Sequence, residues 1–270
     1  MRWVKIGVVV VGALVVTALG IDASDTVTGS RTTLLASLMG TTHTAVCPDG
    51  MVELKNEART ICIDAYEAGV GSDCPILEPH SVQDTLQNLQ NAACKPVSRA
   101  HVYPWRFVSY RLAEQLCARA GKSLLSNGVW YTSALGTPDS ASACPIHEQL
   151  VSRTGEHTGC VSGIGAFDMV GNVWELVQGE VIDGKLFDTQ LPDSGYVSAV
   201  SGEGVPTATV PTPNPLYGAD YFWREASGTY AIMRGGFYNG QNDAGLYSTQ
   251  AGITQDFAGE AVGFRCSLVL

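Results

Sequence analysis

Cationic side chains are scarce in this chain: 16 Lys and Arg stand against 26 Asp and Glu among 270 residues, a formal charge of -10. A field of that sign repels phosphate backbones and anionic headgroups, so nucleic acid is not an expected partner. Charge of either sign is sparse, at 16%, while 30 Gly and 12 Pro imply many turns. That balance points to an irregular, loop-rich fold and away from a helix bundle. No Cys-x-x-Cys pair occurs, which removes the zinc-ribbon and thioredoxin readings. Gly-x-Ser-x-Gly, phosphate-loop and dinucleotide fingerprints are missing as well. Only five histidines are present. His147-Glu148 and Glu156-His157 offer the ligand types of a small metal site, but scattered histidines more often belong to solvated loops.

What is present begins with an apolar run. Behind Arg2 and Lys5, residues 6–21 carry no charge until Asp22. A spanning helix needs about 20 apolar residues and a signal-peptide core about 7 to 15, and this run falls between. Residues 1–21 therefore read as an export signal, either a signal peptide cleaved near Ala18-Leu19-Gly20 or an uncleaved membrane anchor. All eight cysteines follow it. An even count in an exported chain reads as disulfides and places the protein at the cell surface, in a periplasm or in the medium.

Residues 22–45, rich in Ser, Thr, Gly and Ala, read as a stalk or linker, and residues 46–270 as one domain. Inside it, Cys62-Ile-Asp-Ala-Tyr-Glu67 alternates like a strand with one wet face. Val108, Leu112, Leu116 and Cys117 recur at helical spacing and aim the thiol at the core. The charged Arg111, Glu114 and Arg119 of that helix read as a solvated face. Ser126 caps a second helix through Val129, Trp130, Ala134 and Leu135 that stops at Gly136. A weaker helix covers Ser81 to Leu89. The Pro-, Gly-, Ser- and Thr-rich stretch 179–215 has no sustained period and reads as a long surface loop.

Three blocks carry the functional reading: Phe167-Asp-Met-Val-Gly-Asn-Val-Trp-Glu-Leu176, Met233-Arg-Gly-Gly-Phe-Tyr238 and Val262-Gly-Phe-Arg-Cys266. In the first, Asp168 and Glu175 offer hard carboxylate oxygens, and the turn at Gly171-Asn172 lets backbone carbonyls converge, a ligand set suited to Ca²⁺. The alternative is a turn whose carboxylates cap backbone amides without metal. Trp174 is expected to pack inward.

In this order and at these separations the blocks resemble the formylglycine-generating-enzyme, or sulfatase-modifying-factor, family, from about Cys47 to the C-terminus. The strand at Ile63–Glu67 and the segment Gly121-Lys-Ser-Leu124 followed by Trp130 resemble its earlier blocks. The resemblance implies a C-type-lectin-like α+β fold, loop-rich and disulfide-stapled, behind the N-terminal apolar helix. It implies a structural Ca²⁺ held by the Asp168 and Glu175 side chains and the carbonyls of Gly171 and Val173. It also implies a Cys117–Cys266 disulfide. For the other six cysteines, sequence proximity suggests Cys47–Cys62, Cys74–Cys94 and Cys144–Cys160, although eight cysteines formally allow about 105 connectivities.

Enzymes of that family use two cysteines after the Gly-Gly block to bind copper and oxidise a sulfatase cysteine. The matching positions here are Gly240 and Gly245. Glycine supplies neither a thiolate nor a soft copper ligand, so no copper is expected and that reaction has no route. The segment that follows mixes rings with amides and hydroxyls, the chemistry of an adaptable binding surface. Its expected ligand-binding residues are Phe237, Tyr238, Asn239, Gln241, Asn242, Asp243, Tyr247, Ser248, Gln250, Thr254, Asp256 and Phe257. The same pattern resembles the variable proteins of diversity-generating retroelements, which display mutable side chains near the C-terminus on a lectin-like scaffold. The leading expectation is therefore a non-catalytic, exported or membrane-anchored module that binds a macromolecular or glycan ligand through a face open to diversification. The alternatives are a metal-dependent oxidase of the same family, including non-haem iron chemistry, and a structural subunit of a cell-envelope assembly.

Overall fold

A computed structural model describes residues 47–56 and 59–270. The export signal, the linker and the apolar N-terminal helix lie outside the described residues. Along the chain run β1 (Met51–Asn56), β2 (Arg59–Asp64), β3 (Ala68–Val70), helix α1 (Val82–Gln90), β4 (Pro96–Ser98), α2 (Tyr110–Arg119), β5 (Ser123–Leu124) and α3 (Asn127–Ala134). Then come β6 (Trp174–Ile182), β7 (Lys185–Leu186), β8 (Thr189–Gln190), β9 (Gly195–Val200), β10 (Pro206–Val210), β11 (Tyr221–Arg224), β12 (Thr229–Arg234), β13 (Thr249–Thr254), β14 (Val262–Phe264) and β15 (Cys266–Val269). The small sheet has the order β1-β2-β15-β5 and the large one β10-β9-β11-β13-β12-β6-β7-β8, with β14 parallel to β6. Few helices, two main sheets and long connections make this the loop-rich, disulfide-stapled α+β fold expected.

The helices start where their caps dictate. The Ser81 hydroxyl accepts the Asp84 N–H at 3.1 Å and the Ser126 hydroxyl accepts the Val129 N–H at 3.3 Å, each satisfying a donor that the first turn leaves free. α2 buries Ala113, Leu116 and Cys117 against Trp105, Val108 and Phe264. α3 buries Trp130 and Ala134 against Ile63, Met169, Val177 and Phe222. Arg111 and Glu114 are exposed as expected. Arg119 is not simply solvated: its guanidinium donates to the carbonyls of Leu89 and Asn91, tying α2 to the end of α1 and satisfying carbonyls that the helix end leaves free.

Two other expectations are corrected. Cys62, Ile63, Asp64, Ala65 and Glu67 are all buried, so the strand has no wet face. It runs between β1 and β15, and its acids find partners inside, Asp64 with Lys122 and with the Cys266 N–H. The stretch 179–215 is not a long loop but supplies the end of β6 and strands β7 to β10. Its partners are hairpin neighbours, β11 and β12, so pairing orders residues with no periodic signal of their own, and Val181, Leu186, Leu191 and Val197 are buried.

The disulfides are Cys47–Cys62, Cys74–Cys94, Cys117–Cys266 and Cys144–Cys160, and no described cysteine is free. Cys117–Cys266 joins α2 to β15 across 149 residues of sequence.

Candidate functional site

Beneath the large sheet lies a buried knot of charge. Glu175, the second residue of β6, and Arg265, between β14 and β15, are brought face to face because β14 pairs in parallel with β6. The Arg265 Nε donates to both Glu175 oxygens at 2.9 Å, and its Nη2 donates to Oε1 at 2.6 Å. Its remaining donors reach the carbonyls of Asp64 and Phe167, each at 2.8 Å. The Trp130 indole donates to Glu175 Oε2 at 2.7 Å. Both charged side chains are essentially fully buried, so the guanidinium and carboxylate neutralise one another where water cannot.

Glu67 completes this knot, accepting the Asn172 amide at 2.6 Å and the Val173 N–H at 3.2 Å. Burial, then the nearby Asp168 and Glu175, push its carboxyl well above the ordinary range. Asp168 accepts the Gly155 N–H at 2.6 Å through Oδ2, while its buried Oδ1 has no partner, and burial lifts this carboxyl to about 7. The turn needs left-handed backbone at Asp168 (φ 55°), Gly171 (82°) and Asn172 (52°). A Cβ at Gly171 would stand 2.3 Å from the Pro145 carbonyl.

Against that geometry the expected Ca²⁺ set of Asp168, Glu175 and the carbonyls of Gly171 and Val173 does not fit an oxygen-only shell. Arg265 and Trp130 engage both oxygens of Glu175, leaving Asp168 Oδ1 as the one free carboxylate oxygen of the pair. Among the described residues no group of three or more His, Cys, Asp or Glu is arranged to hold a metal, and the histidines at 147 and 157 form none. The Ser152 hydroxyl pairs with His157 Nε2 at 3.1 Å instead.

At the end of β12, Gly235 and Gly236 adopt φ of 88° and 83°, and a Cβ on Gly236 would lie 2.3 Å from the Ala244 Cβ. The two positions that match the family's cysteines are filled, not vacated. A Cβ at Gly240 would approach the Ala244 Cβ to 2.7 Å, and one at Gly245 would approach Asp220 Oδ1 to 2.0 Å. Asp220 accepts the Tyr247 N–H at 2.6 Å through Oδ2, and its buried Oδ1 has no hydrogen-bond partner. Burial and the neighbouring Asp139 hold its carboxyl well above the usual range. Sequence reasoning missed Asp220 and Glu67. Glu67 had left a signal, an acid closing an apolar strand; Asp220, in a turn, left none.

The outer face of the large sheet forms a cavity of about 560 Å³. On β11, Phe222 faces the core, so Trp223 stands on the opposite side with Tyr221. The Tyr196 and Tyr221 rings meet edge to face at 5.0 Å, Tyr221 and Trp223 at 4.8 Å, and Trp223 and Trp174 at 5.8 Å and 85°. Trp174 is only partly buried: it packs against the hydrophobic core, as expected, and its remaining surface lines the cavity. Of the expected ligand residues, Phe237, Asn239, Gln241, Asp243 and Gln250 line this cavity. Phe257 joins Phe237, Gln250 and Trp174 around an adjoining apolar hollow of about 340 Å³.

The other expected residues are placed elsewhere. Tyr238 is buried, with its hydroxyl donating to Glu260 at 3.3 Å; Ser248 is fully buried and donates to the Asp243 carbonyl. Tyr247 packs on Tyr131 and Tyr217, while Thr254 and Asp256 are exposed outside both hollows. Asn242 lies in the short 3-10 turn Gln241–Asp243. Tyr238 and Ser248 turn inward because a loop packed on a sheet must bury part of itself, and each hydroxyl finds an acceptor there.

Residues 152–269 match the family described as the sulfatase-modifying factor enzyme 1-like domain. No curated protein matches the chain. Among solved structures it is similar to the Major Tropism Determinant P3c variant, at 12% identity and a TM-score of 0.44, over 83% of this chain and 56% of that one. It therefore spans little more than half of that protein. It is similar also to PvdO from Pseudomonas aeruginosa (13% identity, 82% and 90% covered, TM-score 0.46) and to Treponema denticola variable protein 1 (10%, 82% and 92%, 0.43).

Proposed function

We propose that this domain is a non-catalytic binding module, exported and either membrane-tethered or secreted, that holds a macromolecular or glycan ligand against the outer face of the large sheet. The supporting observation is the cavity in which Phe237, Asn239, Gln241, Asp243 and Gln250, singled out by chemistry alone, meet Trp174, Tyr196 and Trp223. Rings contribute rigid contact area at low entropic cost, and amides supply adaptable hydrogen bonds. Strands β9, β11 and β13 hold the walls, while Asn239 and Gln241, exposed in the loop after β12, can vary without disturbing the core. On this reading the loop is also the segment open to diversification. The glycines at 240 and 245 leave the family's thiol chemistry without its nucleophiles.

The test is a screen of the purified described domain against glycans and surface proteins, repeated with Gln241→Ala and Trp223→Ala. Binding lost in both variants, with an unchanged melting temperature, is the expected result. Binding that survives both changes, or none at all across the screen, would sink the proposal.

A further inference from the structure

The cavity and the hollow beside it share Trp174, Phe237 and Gln250, so they form one groove. The ionisable side chains lining it are acids, with the Arg106 guanidinium nearby, donating to the Glu260 carbonyl. Asp243 lines the first compartment and Glu260 the second, and neither compartment is lined by a lysine or an arginine. Among the described residues the Asp243 carboxylate accepts no hydrogen bond; its loop is anchored through backbone, the Ser248 hydroxyl donating to the Asp243 carbonyl. Burial raises its carboxyl above the ordinary range.

The walls are aromatic and set across one another. Trp223 stands beside Gln250 in the β11–β13 register and nearly perpendicular to Trp174, with Tyr196 further along the same face. Phe237 closes the side nearest the loop. Rings presented from several directions in a cavity that a carboxylate also lines suit a soft, weakly hydrated cation, because each ring face is negative and such a cation gives up little hydration on entering. A chain with a formal charge of -10 also draws cations toward itself.

Building on the binding reading above, we infer that the groove selects an organic cation, a quaternary or multiply alkylated ammonium group seated between Trp174, Trp223 and Phe237 beside Asp243. The remaining atoms of such a ligand lie along Gln241 and Gln250, or in the apolar hollow toward Phe257. Anionic ligands are disfavoured by the same two carboxylates.

Choline and 3,3-dimethyl-1-butanol, which has the same shape without the charge, separate cation recognition from simple apolar fit. Tryptophan fluorescence and indole NMR shifts follow both titrations in the described domain, with Trp223→Leu and Asp243→Asn as variants. Choline is expected to bind at least tenfold tighter than the alcohol. Asp243→Asn should weaken choline severalfold and leave the alcohol unchanged, which keeps the test informative even if Trp223→Leu does not fold. Equal binding of the two probes, no saturable choline response, or a choline response indifferent to Asp243→Asn overturns the inference. If choline fails while a ligand from the glycan and protein screen still binds and is lost in Gln241→Ala, only the cation is wrong. If nothing binds in either experiment, the binding module falls with it.

Discussion

Arg265 and Glu175 lie 90 residues apart in sequence and meet fully buried, with three donated hydrogen bonds between them. The pair occupies the place where a divalent cation was expected to neutralise the same carboxylate. Removing one partner strands a buried charge, which typically costs ~3–5 kcal/mol. Arg265→Met should therefore unfold at far lower urea, whereas the double variant Arg265→Met/Glu175→Gln should recover part of the loss. Chelation by EDTA should leave the melting temperature of the unaltered domain where it was. A fall of several degrees on chelation would restore the calcium reading.

The Cys117–Cys266 bridge closes a loop of 149 residues. Replacing both cysteines by alanine should cost ~2–5 kcal/mol and leave the domain marginal at 37 °C. Urea denaturation of the double variant beside the parent checks this. An equal midpoint would mean that β15 is held by its sheet alone.

Gly245 abuts Asp220, so Gly245→Ala has to displace a buried carboxylate. The expected loss is about 1–3 kcal/mol, in the range of overpacked cores. A double-mutant cycle with Asp220→Ala should be clearly non-additive, since the second change removes the collision. Additive losses would show that the backbone moves aside instead.

Asp139 is lifted to about 6 and Asp220 well above its ordinary value, by burial in each case and for Asp220 by its acidic neighbour as well. Both folded carboxyls titrate above their unfolded value near 3.8, so the native state holds more protons than the unfolded one. Stability from this pair is therefore highest at low pH and declines as pH rises from about 4 through about 6 and beyond. Melting temperature measured across that range should fall, and Asp139→Asn should flatten the slope. A slope unchanged in Asp139→Asn would place the linkage elsewhere, with Glu67 or Asp168.

Local signals were the legible ones. Ser81 and Ser126 announced their helices because an N-cap acts within three residues. Cys117 was legible as a core residue because helical spacing is short-range. The strands in 179–215 were not legible, since Gly195–Val200 becomes a strand only by having β10 and β11 on either side. The binding face was half legible. Phe237, Gln241, Asp243 and Gln250 announced themselves by residue type, but the same criterion also selected Tyr238 and Ser248, which point inward. Trp174, Tyr196 and Trp223 come from three strands far apart in the chain, and only the sheet makes them neighbours.

By itself, then, the sequence determined the element types near caps and helical periods, the family blocks, the missing thiols at 240 and 245 and the acidic balance, all of which depend on residue chemistry or on separations of a few positions. Tertiary structure alone decided that Arg265 neutralises Glu175, that Asp220 fills the space beside Gly245, and that an aromatic groove carries acid without base. Each of these depends on which segments the fold brings together, and contacts between segments 25 to 90 residues apart leave no local trace in the chain.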